Sequence, residues 1–164
     1  MERRRAYRMA YMLFWSILLY LVFSQLIVGV GIITDRSMFP TLRDGDHFLV
    51  NKYLYRIAHP RRGDIVVLRP RDEAEDQYVK RVVGLPGDTL HITGGFVYVN
   101  NQRLEEPYAV GRTWPDRHPL LIPPETYYVL GDNRGQSEDS RRFGPVPRRH
   151  LTGKIQPGEW FPFW

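Results

Sequence analysis

Twenty-six consecutive residues without a formal charge, Met9 to Thr34 (MAYMLFWSILLYLVFSQLIVGVGIIT), constrain this chain more than any other feature. Ser16, Ser24, Gln25 and two glycines are the main interruptions. As an α-helix at about 1.5 Å per residue the run would reach roughly 39 Å, enough to cross a hydrocarbon core about 30 Å thick with some tilt. A buried core helix is shorter and rarely stays uncharged for so long. A cleavable signal peptide has an apolar stretch of about 7–15 residues before a small-x-small site, and the end of this run, GVGIITDR, matches such a site poorly. The run therefore reads as a permanent transmembrane anchor over 9–34.

Charge gives the anchor a direction. The net charge is +5, and residues 1–8 (MERRRAYR) carry four Arg and one Glu, whereas the rest of the chain holds nineteen basic and seventeen acidic side chains. Arg3, Arg4, Arg5 and Arg8 flank one end of the run, while Asp35 and Arg36 cancel at the other. By the positive-inside rule, 1–8 is a cytoplasmic tail and 35–164 an extracytoplasmic domain in the cell membrane. A nucleic-acid binder would concentrate its cations on the folded domain; here they sit on the tail, so no nucleic-acid partner is expected.

Beyond the anchor the chain reads as mainly β. Candidate strands are HFLVNKYL (47–54), DIVVLRP (64–70), QYVKRVVG (77–84), DTLHI (88–92), FVYVN (96–100) and TYYVLG (126–131), with a weaker one at LTGKI (151–155). Gly, Pro, Asp and Asn clusters punctuate them, and no helix-period pattern competes. RPRDEAEDQ (69–77) reads as a solvated loop. The Pro-rich stretch 101–125 is either an excursion from the sheet or a reduced second lobe. The C-terminal QPGEWFPFW is suited equally to core packing and to a membrane interface.

Several chemistries lack their residues. The chain has no cysteine, hence no thiol nucleophile, thiolate site or disulfide. Its five histidines are scattered, without metal-ligand spacing, and GLPGD is a turn between strands rather than a phosphate loop. No metal or other cofactor is expected.

Three segments stand out: Ser37-Met38-Phe39-Pro40-Thr41-Leu42, Tyr78 to Asp88 (YVKRVVGLPGD) and Gly131 to Gly144 (GDNRGQSEDSRRFG), with Arg62 to Leu68 (RGDIVVL) between the first two. In this order, after an anchor of this topology, they closely resemble the bacterial type I signal peptidases, membrane-bound Ser/Lys-dyad serine proteases, from the anchor through Ile155. The resemblance implies a largely antiparallel β domain. It makes Ser37 the nucleophile and Lys80 the general base, with Ser137, Asp139 and Arg141 as supporting residues and Ser137 hydrogen-bonded to the lysine. It also implies the substrates: signal-peptide-bearing preproteins cut at small-x-small sites beside the lipid bilayer, with the secretion translocon as a further partner. Two positions depart from the family pattern. Gly135 and Gln136 replace the usual D-N pair, and Asp35 stands where a Ser or Gly is common. An ionised carboxylate cannot donate a hydrogen bond, which leaves the Ser37 backbone N–H as the expected oxyanion donor and its partner donor unnamed.

The chemistry of the pair can be argued from the residues alone. A free lysine titrates near 10.4, so about one in two thousand is neutral at pH 7; burial can lower that by up to roughly 3–5 units. Val79, Val82, Val83 and Leu85 around Lys80, and Met38 and Phe39 beside Ser37, supply apolar surroundings. Adjacent strand residues face opposite ways, so an Arg81 directed to water puts Lys80 in the core. Asp139 and Arg141 read as a scaffolding ion pair. Two other functions fit the same features: a Ser/Lys maturation protease with few substrates, and an inactive membrane-anchored binding or assembly protein.

Overall fold

The computed structural model describes residues 2–71 and 76–155. The C-terminal QPGEWFPFW and the middle of the 69–77 loop lie outside them.

The long apolar run does not form one helix. Helix α1 covers Glu2–Ile27, and the run continues as strand β1, Val28–Ile32. The sequence VGVGI explains the change: β-branched residues alternating with glycine are poor helix formers, and they pair in register with β2, His47–Asn51. Every described side chain of α1 from Ala6 to Leu21 is exposed. Among the described residues no helix is long and apolar enough to cross a membrane.

The expected strand 47–54 is cut short. Asn51 Oδ1 accepts the backbone N–H groups of Tyr53 and Leu54, turning the chain into a one-turn helix α2, Leu54–Ile57. The remaining elements follow as β3 (Ile65–Leu68), β4 (Tyr78–Gly84), β5 (Thr89–Thr93), β6 (Phe96–Val99), β7 (Gln102–Arg103), β8 (Arg117–Leu121), β9 (Thr126–Leu130), α3 (Ser140–Phe143), β10 (Val146–Pro147) and β11 (Leu151–Ile155).

These strands make two antiparallel sheets. The larger runs β1-β2-β11-β3-β4-β9-β10 and the smaller β7-β6-β5-β8. The stretch 101–125 thus supplies β7 and β8 to the smaller sheet. Strands β3 and β4 are central in the larger sheet, and β3 is buried along its whole length. Its alternate residues enter different cores: Val66 and Leu68 pack with Tyr55, Val82, Tyr127 and Val129, while Ile65 and Val67 pack with Ile33, Met38, Leu42, Val50 and Ile155. A third core joins the sheets through Val83, Leu90, Ile92, Val97 and Leu130.

A sheet covered on both faces overturns one sequence expectation. Arg81 does not point to water: it is 8% exposed and makes a two-pronged ion pair with the fully buried Asp132, at 2.8 and 2.6 Å. The Tyr108 ring stacks on its guanidinium at 4.0 Å. Alternation along β4 still holds, but both directions lead into protein.

Candidate active site

Ser37 lies in the turn between β1 and β2. Phe39 N–H donates to the Arg36 carbonyl and Leu42 N–H to that of Met38. Met38 and Leu42 plug the same core as Ile33, so the turn is seated by three apolar side chains, while Phe39 stays exposed. The following loop is stitched down by Thr41 Oγ1, which donates to Asp132 Oδ2 at 2.5 Å. Ser37 itself is 5% exposed.

Lys80 is the third residue of β4 and is fully buried. Its Nζ donates to Ser37 Oγ at 2.6 Å, across forty-three positions of sequence, and sits 5.4 Å from the centre of the Tyr78 ring. Desolvation by burial pushes the Lys80 amine below the ordinary lysine range. Asp35, Asp139 and Glu138 pull it back up, and Arg141 pushes it further down. Burial dominates, so the neutral amine is favoured relative to a free lysine.

The third sequence motif clamps this pair. Asn133 N–H donates to the Ser37 carbonyl at 2.9 Å, and its side-chain amide donates to the Arg36 carbonyl and to Gln136 Oε1. Asp139 caps α3, accepts the Gly131 N–H at 3.0 Å and pairs with Arg141 through two 2.8 Å contacts. Arg141 also donates to the carbonyls of Trp114 and Ser137. Arg134 reaches the other way, to Glu106 at 3.0 and 2.6 Å and to Thr113, which ties the 101–125 stretch to the back of the site.

One expectation about this site needs correction. Ser137 does not hydrogen-bond Lys80: its Oγ is buried and, among the described residues, has no partner. Its side chain packs against Gly131, where an added Cβ would overlap it and come within 2.6 Å of the Ser37 carbonyl oxygen. The Ser37 N–H, the expected oxyanion donor, is engaged within the turn. It donates to Asp35 Oδ1 at 2.7 Å.

Some contributors escaped the sequence reading. Asp132 and Asn133 lie in the third motif without an assigned role there, yet they hold the serine turn. Glu106, in the Pro-rich stretch, had no local signal at all. Only its proximity to Arg134 gives it a role.

Residues 6–160 match the family model described as signal peptidase, peptidase S26. The chain belongs to that family. Among its relatives, signal peptidase I of Leptolyngbya laminosa is 38% identical over 154 residues, covering 88% of this chain and 75% of that protein. Probable signal peptidase I-2 of Synechocystis sp. is 40% identical over 133 residues, covering 78% and 61%. A signal peptidase I from Enterococcus faecalis V583 superposes with a TM-score of 0.53 at 31% identity, covering 61% of this chain and 99% of that one. Membership of the S26 family makes the chain a peptidase with a mainly β, antiparallel architecture, as the motifs suggested.

Proposed function

We propose that this chain is a membrane-anchored serine endopeptidase that removes signal peptides from secreted preproteins at small-x-small sites, with Ser37 as nucleophile and Lys80 as general base. The observation that carries the reading is the 2.6 Å contact between a buried amine and a buried hydroxyl. Once the amine is neutral, Ser37 Oγ–H donates to Nζ; as Oγ bonds to the scissile carbonyl carbon, its proton passes to Lys80 and the carbonyl electrons move onto oxygen. Lys80 then returns the proton to the leaving amine, and water hydrolyses the acyl-enzyme. Asp139, Arg141 and Asn133 act as scaffold, holding the strand ends against which both groups rest.

The uncharged run supports the anchor. From Met9 to Leu21 the exposed part of α1 is uncharged and almost wholly apolar, with Met9, Leu13, Leu19 and Tyr20 each more than half exposed, as suits a helix surrounded by lipid. The four N-terminal arginines favour a cytoplasmic start and an extracytoplasmic catalytic domain. A preprotein held in the bilayer by its own apolar segment would then present its cleavage site next to Ser37, with the translocon close by.

The test is preprotein processing in vesicles or detergent by Ser37→Ala and Lys80→Met, made separately. Each is expected to lose at least a thousandfold in rate, as when one member of a nucleophile–base pair is removed. Full activity in either variant overturns the assignment.

A further inference from the structure

We propose that Asp35 is an internal competitor of the substrate, its carboxylate occupying the backbone N–H of Ser37 in the resting enzyme until the tetrahedral oxyanion displaces it. The inference rests on Ser37 being the nucleophile. In an acyl transfer through a serine, the backbone N–H of that serine is well placed to receive the charge that develops on the carbonyl oxygen. Here that N–H is already taken, at 2.7 Å, by Asp35 Oδ1.

An aspartate accepting the N–H two residues on is an ordinary turn-forming contact. Two observations give this one a further consequence. The donor belongs to the residue whose hydroxyl meets Lys80, and Ser37 and Lys80 are buried whereas Asp35 is exposed. The carboxylate can therefore rotate into water without opening the core. While it stays, an incoming oxyanion meets both an occupied donor and a like charge. Displacing it requires substrate binding energy from elsewhere, which long, membrane-held substrates have and short peptides lack.

Asp35 also acts on Lys80. It is the largest of the charges drawing the amine upward, against burial. The other charged and titratable groups about Lys80 are Tyr78 on its own strand, Glu138 and Asp139 before α3, and Arg141 within it. Removing the Asp35 charge leaves Glu138 and Asp139 as the carboxylates opposing burial. The lysine should then lose its proton at lower pH.

The experiment compares the full-length protein in detergent with Asp35→Asn, Asp35→Gly and Asp35→Glu. Asn keeps a neutral acceptor for the turn, Gly leaves the N–H open, and Glu keeps the charge on a longer arm. The readouts are kcat and KM on a short Ala-x-Ala peptide, the pH profile, and inhibition by a peptide aldehyde that forms a tetrahedral adduct with the serine. Expected are a gain in kcat of about tenfold in Asp35→Gly, the equivalent of one hydrogen bond to a charged group, and a smaller gain in Asp35→Asn. The aldehyde should bind more tightly by a similar factor while KM barely changes. The acidic limb of the profile should move to lower pH in Asn and Gly but not in Glu.

Variants that fold with unchanged Tm, yet show no gain in kcat or aldehyde affinity, overturn the proposal and leave Asp35 a brace for the turn. If instead Ser37→Ala remains active, it is the underlying nucleophile assignment that fails.

Discussion

At the scale of single residues, a lysine with no solvent around it weakens the folded state wherever it would carry a proton. Lys80 has a lowered affinity for protons in the folded chain because of burial, and an ordinary one near 10.4 when unfolded. Below the lowered folded value both states are charged and the full penalty applies. As pH rises from there toward about 10.4 the unfolded state binds more protons than the folded one, so stability increases. Lys80→Met removes the penalty and should raise Tm at pH 7 by a few degrees, since about 1 kcal/mol moves a domain of this size by roughly 2–4 °C. The gap should close toward pH 10.4, and thermal unfolding at pH 6, 8 and 10 checks it; a constant gap would contradict the buried-amine account. Arg81, the adjacent residue, shows what a residue-level reading misses. Its type and strand position suggested solvent, but burial opposite Asp132 made it half of an ion pair whose disruption, leaving one charge unpaired, typically costs about 3–5 kcal/mol.

At the scale of elements, strands with β-branched runs were legible because propensity and alternation agree, as in IVVL of β3 and YVKRVVG of β4. Elements whose form depends on a partner were not. Strand β8, RHPLL, contains a proline and is exposed throughout; it exists because β5 pairs with it. Strand β1 likewise takes its form from β2. The end of β9 is where element packing bears directly on the site. Gly131 is pressed between Ser137 and the carbonyl of Ser37, so Gly131→Ala must push the serine turn away from β9. Such overpacking usually costs about 1–3 kcal/mol. A lower Tm together with a tenfold or greater fall in kcat is expected, because the Ser37–Lys80 contact would open. Unfolding curves and peptide cleavage by the same preparation measure both, and an Ala variant with wild-type kcat would show that the turn is not set by this contact.

At the scale of the whole molecule, helix α1 ends at Ile27 and the strand that pairs with β2 begins at Val28, so the sheet takes up the last part of the uncharged run. Removing residues 1–26 should leave Tm of the domain nearly unchanged and preserve cleavage of a short peptide, while slowing processing of a membrane-held preprotein. Removing 1–33 takes away β1 and the buried Ile33, and should lower Tm by several degrees in the same unfolding assay. Equal stability of the two truncations would mean that β1 is no part of the folded unit. By itself the sequence determined the class of the chain: an apolar run, a β-rich remainder, and a serine and a lysine in motifs specific enough to name a family. Those are properties of local composition and short spacing, which survive without coordinates. Tertiary structure alone decided that Arg81 is buried, that Ser137 faces Gly131 rather than the lysine, and that Asp35 holds the serine N–H. Each depends on which distant segment packs against the residue, and burial and hydrogen-bond partnership are set by that packing rather than by the neighbours in the chain.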